Sequence, residues 1–160
     1  MIEEHNASFY RVGVRIMTEQ GQLDYAETVV TVEDGQNYTY AGSNNADDVA
    51  WYTSNTNDIG TRPVGTKRAN KYGLHDMSGN VWEWVLDEWH GSYLGAPSNG
   101  SQAWGNVPKC RQRCDKGSAW RVVRGGSWDG NADDLRVAFR YNRPPGGSGD
   151  YSLGFRLRRT

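Results

Sequence analysis

The stretch GNVWEWVLD, residues 79–87, is the clearest strand of the chain. Successive side chains of a strand point to opposite faces of a sheet, so its two tryptophans and its leucine share one face. The two expected faces are Trp82, Trp84 and Leu86 opposite Val81, Glu83 and Val85. Large aromatic side chains suit a half-buried, pleated surface, and they predict a core built from aromatic plates.

Three later stretches are also predicted as strands: WRVVRG (residues 120–125), LRVAFRY (135–141) and LGFRLRR (153–159). In the second, Leu135, Val137 and Phe139 are expected on one face, with arginines on the other. Arginine stacks well on tryptophan, so we expect these arginines to hold the sheet and its loops together.

The N-terminal half carries weaker signals. Residues 1–17 alternate and predict one strand, and VVTV (29–32) predicts another. Between them, Thr18 is a plausible N-cap for a short helix over residues 19–27. Asn45 is expected to cap a helical turn that extends to Trp51. Residues 53–73 are predicted as turns, and residues 90–119 as a long polar loop.

Composition narrows the class of protein. The chain has 160 residues, enough for one domain, with 20 glycines and 7 tryptophans. Its net charge of -1 argues against non-specific nucleic-acid binding, which needs an excess of Lys and Arg. No apolar run approaches the ~20 residues of a membrane span, and no N-terminal export signal is visible. We therefore expect a soluble, loop-rich domain.

The two cysteines, Cys110 and Cys114, lie in KCRQRCDK. Such a pair can be a local disulfide, half of a metal site or two free thiols. No second pair of cysteines or histidines has the spacing of a structural zinc site. The interpretation we favour is two ordinary cysteines in a surface loop.

Three motifs in fixed order carry a family resemblance: YGLHDMSGNVWEW (72–84), WRVVRGGSW (120–128) and LGFRLRR (153–159). Together they resemble the formylglycine-generating enzyme family, also called the sulfatase-modifying factor domain. The resemblance implies an α+β, C-type-lectin-like fold: one loop-rich domain over residues 1–160, with a small twisted antiparallel sheet and short helices. Family enzymes carry a substantial segment before the stretch that matches residues 15–26, so an N-terminally shortened domain is expected.

The catalytic part of the family pattern is missing. The resemblance implies two cysteines shortly after the GGS motif, which bind copper through soft thiolates. No cysteine follows Ser127, and both cysteines of this chain precede it. We therefore expect no copper, no oxidase activity and no catalytic residues of this kind.

A calcium site is a further implication of the resemblance. Its ligands would be the side chains of Asp76 and Glu83 and the backbone carbonyls of Gly79 and Val81. Hard oxygen ligands on a glycine-containing turn suit calcium. The alternative is that Asp76 and Glu83 cap the turn and pair with arginines. A second family calcium site uses an aspartate where this chain has Gly65, so that site is not expected.

The C-terminal region, residues 120–159, resembles a variable region. A branch of the family serves as the variable protein of diversity-generating retroelements, where a reverse transcriptase randomises adenines, chiefly in asparagine codons of the AAY type. Between family-like framework residues lie residue types that such codons reach by changing only adenines. These positions are Asp129, Gly130, Asn131, Asp134, Phe139, Tyr141, Asn142, Arg143, Gly146, Gly147, Ser148, Asp150, Tyr151 and Ser152.

Aromatic residues among small polar ones are typical of antibody paratopes. The sequence therefore predicts a non-enzymatic binding module, whose partner is a protein or a cell-surface molecule. The predicted ligand-binding residues are Trp128, Asp129, Gly130, Asn131, Asp134, Phe139, Tyr141, Asn142, Arg143, Asp150 and Tyr151.

Two other functions stay open. The first is an enzyme of the same family with altered, non-copper chemistry. Its candidate groups are Ser127, Asp129, Asp133, Asp134 and His90, although no pair has a spacing that demands acid–base or nucleophilic roles. The second is a structural or interaction domain of a larger protein.

Overall fold

The computed structural model describes residues 8–17, 23–32, 38–57, 59–92, 94, 96, 104–105, 120–145 and 150–156. Within these ranges the chain forms short helices and a curled sheet. The elements are β1 (Ser8–Met17), β2 (Leu23–Val32), α1 (Ala46–Val49), α2 (Thr53–Thr56), β3 (Trp82–Glu88), β4 (Arg121–Arg124), a 3-10 helix (Ala132–Leu135), β5 (Tyr141–Arg143) and β6 (Leu153–Gly154). No helix in the described ranges has the length and apolar character needed to cross a membrane.

The sheet has the strand order β2-β1-β3-β4-β5, and β6 pairs with β3 beside this path. Neighbouring strands along the path are antiparallel, whereas β6 runs parallel to β3 through Trp82 and Glu83. The α+β, lectin-like fold class is therefore confirmed, and the parallel pair makes the sheet mixed rather than purely antiparallel. This parallel pair brings residues 150–154 beside the start of β3.

The predicted helix over residues 19–27 is wrong from Leu23 onward. That stretch belongs to β2, which pairs with β1 in an unbroken register from Ser8↔Val32 to Met17↔Leu23. The β-branched run at the end of β2 favours extended backbone, and pairing with β1 overrides a weak helix signal. The strands predicted in residues 1–17 and 29–32 are confirmed. Thr18 lies outside the described residues.

The helical turn predicted after Asn45 is confirmed as α1. The Asn45 side chain accepts a hydrogen bond from the Asp47 N–H at 3.2 Å, which is an N-cap. A second helix, α2, lies in a stretch predicted to contain only turns. The Asn55 side-chain oxygen accepts from the Tyr52 N–H at 3.0 Å, and Asn57, the residue after the helix, has the left-handed φ of 54°. A side-chain cap therefore stabilises a helical turn in an otherwise turn-like sequence.

One core cluster lies under α1. It contains Ala46, Val49, Ala50, Tyr52 and Leu135, and Leu135 is fully buried. Ser78 joins this cluster to the loop before β3, because its hydroxyl donates to the Leu135 carbonyl at 2.9 Å. The C-terminal region and the loop before β3 are thus packed on the same core.

The strict alternation predicted for β3 is only partly right. Trp82 and Val85 are buried, although they were expected on opposite faces, and Trp84 is half-buried. The pairing with β4 shifts register between Trp84 and Glu88. Such an irregularity re-aims the side chains that follow it.

The strand predicted over residues 135–141 is wrong. Its first residue ends the 3-10 helix, a turn follows, and pairing begins only with β5. The cause is a capping box: the Asn131 side chain accepts from the Asp133 N–H at 2.9 Å, and the Asp134 side chain accepts from the Asn131 N–H at 3.3 Å. Of the strand predicted over residues 153–159, only Leu153–Gly154 is paired, and residues 157–160 lie outside the described ranges.

Candidate ligand-binding site

The GGSW turn fixes the start of the candidate site. Gly126 has φ 74°, and a Cβ atom there would overlap the Leu135 side chain, so only glycine fits. Ser127 is 2 % exposed, and its hydroxyl lies 2.5 Å from Asp129 Oδ1. The Trp128 N–H donates to the Asn80 carbonyl at 2.9 Å. The backbone that carries Trp128 and Asp129 is therefore held against the core and the loop before β3.

Two aromatic contacts build the surface beyond this turn. Trp128 and Tyr151 lie with ring centroids 5.8 Å apart, and Tyr151 is 77 % exposed. Trp82 supports the second group, with ring centroids 6.0 Å from Phe139 and 5.9 Å from Tyr141. Tilted pairs at these separations are favourable arrangements of aromatic rings.

A charged pair connects the two aromatic groups. The Arg143 guanidinium lies 5.3 Å from the centre of the Tyr141 ring and 3.2 Å from the Asp150 carboxylate. Asp150 precedes Tyr151 directly, so the contacts run from one aromatic group to the other. We call this set the aromatic strip: Trp128, Phe139, Tyr141, Arg143, Asp150 and Tyr151.

Asp150 anchors the strip to the sheet. Its Oδ1 accepts from the Ser152 hydroxyl at 2.7 Å and from the Ser152 N–H at 2.9 Å. These two hydrogen bonds, with a smaller effect from the charge of Arg143, hold the pKa of the Asp150 carboxyl below its ordinary value. Ser152 is buried, and its carbonyl accepts from the Trp82 N–H at 2.8 Å. Ser152 is therefore a structural residue, although its codon type is adenine-reachable.

The other predicted ligand-binding residues have local structural roles or lie at the margin. Asn131 and Asp134 cap the 3-10 helix, and the Gly130 carbonyl accepts from the Thr53 N–H at 3.1 Å. Asn142 is half-buried within β5, opposite Val122. Asp129 and Asn131 are exposed beside Trp128. The structure thus gathers six of the eleven predicted residues into the aromatic strip.

Sequence reasoning missed the supporting residue Trp82. Its ring lies under Phe139 and Tyr141, and its backbone bonds to Ser152. Trp82 could have been singled out from the sequence, because it lies in the clearest predicted strand of the chain. The sequence did not indicate the parallel pairing of β3 with β6, which brings the two segments together.

Two of the implied calcium ligands, the Glu83 side chain and the Gly79 carbonyl, are already engaged with other groups. Both oxygens of Glu83 accept from Arg156, at 2.7 Å from Nη2 and 3.1 Å from Nε. The same guanidinium donates to the Asp76 carbonyl at 3.2 Å. The Gly79 carbonyl accepts from the Val81 N–H at 3.0 Å. This arrangement is the alternative in which Glu83 pairs with an arginine.

Asp76 is the part of this set that still fits a cation. Its φ is 55°, its Oδ2 accepts from the Gly65 N–H at 2.7 Å, and its Oδ1 is buried without a hydrogen-bond partner. In the described ranges, no three His, Cys, Asp or Glu side chains group as a metal site would require. As arranged, the set does not fit calcium, because a cation would have to displace Arg156 from Glu83.

Of the candidate catalytic groups of the enzyme hypothesis, the structure brings Ser127 and Asp129 into contact, and the others have separate local partners. Ser127 bonds Asp129, Asp133 lies 3.8 Å from Arg136, and Asp134 caps a helix. His90 stacks on Trp104 at 3.9 Å, and its Nε2 is buried without a hydrogen-bond partner. Cys110 and Cys114 lie outside the described residues.

Comparisons with known proteins agree with the fold and the motifs. The profile of the sulfatase-modifying factor enzyme 1-like domain family matches residues 14–160. The Chaperone protein LppX of Paenibacillus barcinonensis is 33% identical over 123 residues, which are 67% of this chain and 36% of that protein. The formylglycine-generating enzyme of Thermomonospora curvata is 34% identical over 100 residues, which are 61% of this chain and 30% of that enzyme.

A solved structure shares the scaffold. Treponema denticola variable protein 1 superposes with a TM-score of 0.57 at 33% identity, over 77% of this chain and 41% of that chain. The chain spans less than half the length of each of these three proteins. The scaffold of a variable protein is therefore present.

Proposed function

The chain belongs to the sulfatase-modifying factor enzyme 1-like domain family, and on that premise we propose that it is a non-catalytic ligand-binding protein. Its C-terminal surface would be diversified by a retroelement and displayed on the lectin-like scaffold. The similarity to Treponema denticola variable protein 1 supports this proposal over an enzymatic role. The absence of any cysteine after Ser127 also supports it, because the family's copper chemistry needs thiolate ligands.

The aromatic strip is the observation that carries the proposal. Its exposed members, Tyr141 and Tyr151, are adenine-reachable, and so are the exposed neighbours Asp129 and Asn131. Behind them lie buried residues such as Ser127 and Leu135, which hold the backbone in place. A rigid support under exchangeable exposed side chains is the arrangement that a diversified binding surface requires.

The chemistry of the strip favours a macromolecular ligand. Tyrosine and tryptophan give large contact areas at low entropic cost, and the small polar residues around them adapt their hydrogen bonds. The Tyr141 and Tyr151 side chains are exposed, which suits contact with a protein or a cell-surface molecule. The net charge of -1 argues against a nucleic acid as the ligand.

A display library tests the proposal. Codons with any base at the first two positions and a pyrimidine at the third would replace those for Asp129, Asn131, Tyr141, Arg143 and Tyr151. We expect most members to stay folded and specific binders to a chosen protein target to be selected. A matched library at Ser127, Leu135 and Ser152 should lose folded members. Equal loss of folding in the two libraries would contradict the proposal.

A further inference from the structure

We propose that in this sequence the strip binds a cationic side chain, an arginine or lysine projecting from a protein ligand. The cation would lie against the rings of Trp128 and Tyr151 and beside the carboxylate of Asp129. This inference rests on the proposed function, because it assigns a ligand class to the same surface.

The arrangement of the Trp128 and Tyr151 rings suits the binding of a cation. Trp128 and Tyr151 are inclined by 44° with centroids 5.8 Å apart, so their faces are neither stacked together nor coplanar. Tyr151 is 77 % exposed, whereas the Trp128 Nε1 atom is buried. The nitrogen edge of Trp128 is therefore buried, without a hydrogen-bond partner among the described residues, while the Tyr151 ring is open to solvent. Cations bind favourably over such faces, and most favourably over tryptophan.

An exposed carboxylate follows Trp128 directly in the chain. It belongs to Asp129, whose Oδ1 lies 2.5 Å from the buried Ser127 hydroxyl. Its Oδ2 has no hydrogen-bond partner in the part of the chain that the structure describes. A carboxylate oriented by one oxygen can use the other for a charge-assisted hydrogen bond to a guanidinium or ammonium group.

The local charges leave the position attractive to a cation. Residues 127–135 contain three aspartates and no lysine or arginine. Two arginines that follow in the chain are close to acids: Arg143, at the end of β5, lies 3.2 Å from Asp150, and Arg136 lies 3.8 Å from Asp133. Aromatic faces beside a net negative charge select basic groups over neutral or acidic ones.

The test is an NMR titration of the full chain, labelled with nitrogen-15. The probes are N-acetyl-arginine methylamide and its neutral isostere, N-acetyl-citrulline methylamide. The reporter is the indole N–H signal of Trp128, assigned by its loss in Trp128→Phe. We expect the arginine probe to shift this signal and the citrulline probe to leave it in place. Equal shifts with both probes, or no shift with either, would overturn the inference.

Three variants localise the effect. Asp129→Asn keeps the shape of the side chain, and it should lower the affinity for the arginine probe about fivefold, because a charge-assisted contact is lost. Tyr151→Phe should retain binding, whereas Tyr151→Ser should lose it. The matched control Asp133→Asn removes the same charge from an exposed acid that lies 3.8 Å from Arg136, and it should lower the affinity clearly less than Asp129→Asn does. If Asp129→Asn and Asp133→Asn act alike, the site is wrong.

Failure of this inference is separable from failure of the proposed function. If the probe does not bind while the codons of the strip vary in nature, only the ligand class is wrong. If the probe binds as expected while those codons are invariant, the cation site stands and diversification is wrong.

Discussion

The framework around α1 and β3 and the segment over residues 128–152 satisfy their polar groups differently. In the framework, partners are far apart in sequence: Ser78 bonds Leu135, and Glu83 pairs with Arg156. In the C-terminal segment, side chains chiefly bond neighbours in sequence: Ser127 bonds Asp129, Asp134 accepts from the Asn131 N–H, and Ser152 bonds Asp150. The backbone of the same segment is tied to the framework, because the Trp128 N–H donates to the Asn80 carbonyl and the Ser152 carbonyl accepts from the Trp82 N–H. Exposed side chains of the segment can therefore change while its backbone stays attached to the framework.

The largest effect is expected at the shared core. Leu135→Ala removes a fully buried side chain packed against Gly126, and it should lower the free energy of unfolding by about 3 kcal/mol through lost burial and a cavity. Urea denaturation followed by tryptophan fluorescence measures this. A loss as small as that of a surface substitution would show that the C-terminal segment is not part of the core.

The next effect concerns the Glu83–Arg156 pair, whose side chains are 15% and 24% exposed. Glu83→Gln should lower the free energy of unfolding by about 2 kcal/mol, because a mostly buried guanidinium loses its bidentate partner. The same urea experiment, run with calcium and with a chelator, should give the same cost in both. If Glu83→Gln lowered the free energy of unfolding only in the presence of calcium, a calcium ion bound at Asp76 and Glu83 would be the explanation instead.

A smaller effect is expected at Asp150, whose side chain is partly exposed. Asp150→Asn should lower the free energy of unfolding at neutral pH by about 0.5 kcal/mol. The pKa of this carboxyl is lowered in the folded protein, so its contribution is present above its ordinary value of 3.8 and is lost as the pH falls through the folded value. The two proteins should therefore converge in stability in acid. A difference that persists or grows in acid would contradict this.

The smallest effect is expected on the open part of the strip. Tyr151→Ser removes a ring that is 77 % exposed, and it should change the free energy of unfolding by less than about 0.5 kcal/mol. Thermal unfolding of this variant beside Leu135→Ala gives the direct contrast between surface and core. A loss comparable to that of Leu135→Ala would mean that the strip is structural.

Much of the fold could be predicted from local signals. The β3 strand, the Asn45 cap and the strand at residues 121–124 follow from alternation and capping, and the structure has all three. Residues 23–27 and 135–140 could not be assigned this way. In the first case, pairing with β1 overrode a helix signal, and in the second, the Asn131–Asp134 capping box overrode strand alternation.

The candidate site was predictable in composition but not in arrangement. The adenine-reachable residue types pointed to Tyr141, Arg143 and Tyr151. Their connection depends on the parallel pairing of β6 with β3 and on the Arg143–Asp150 contact, which are both non-local. The structural role of Ser152 was hidden for the same reason, because its residue type fits a variable position as well as a buried one.

Deep sequencing of the gene across a population that carries it, with the flanking DNA, tests the central claim most directly. We predict that variation is confined to codons 129–152, is concentrated on the exposed positions of the strip, and matches adenines in a nearby near-copy of the sequence. Codons 38–57, which encode α1 and α2, serve as the internal control and should be constant. Invariant codons throughout 129–152, with no template copy nearby, would contradict the claim of a diversified binding surface.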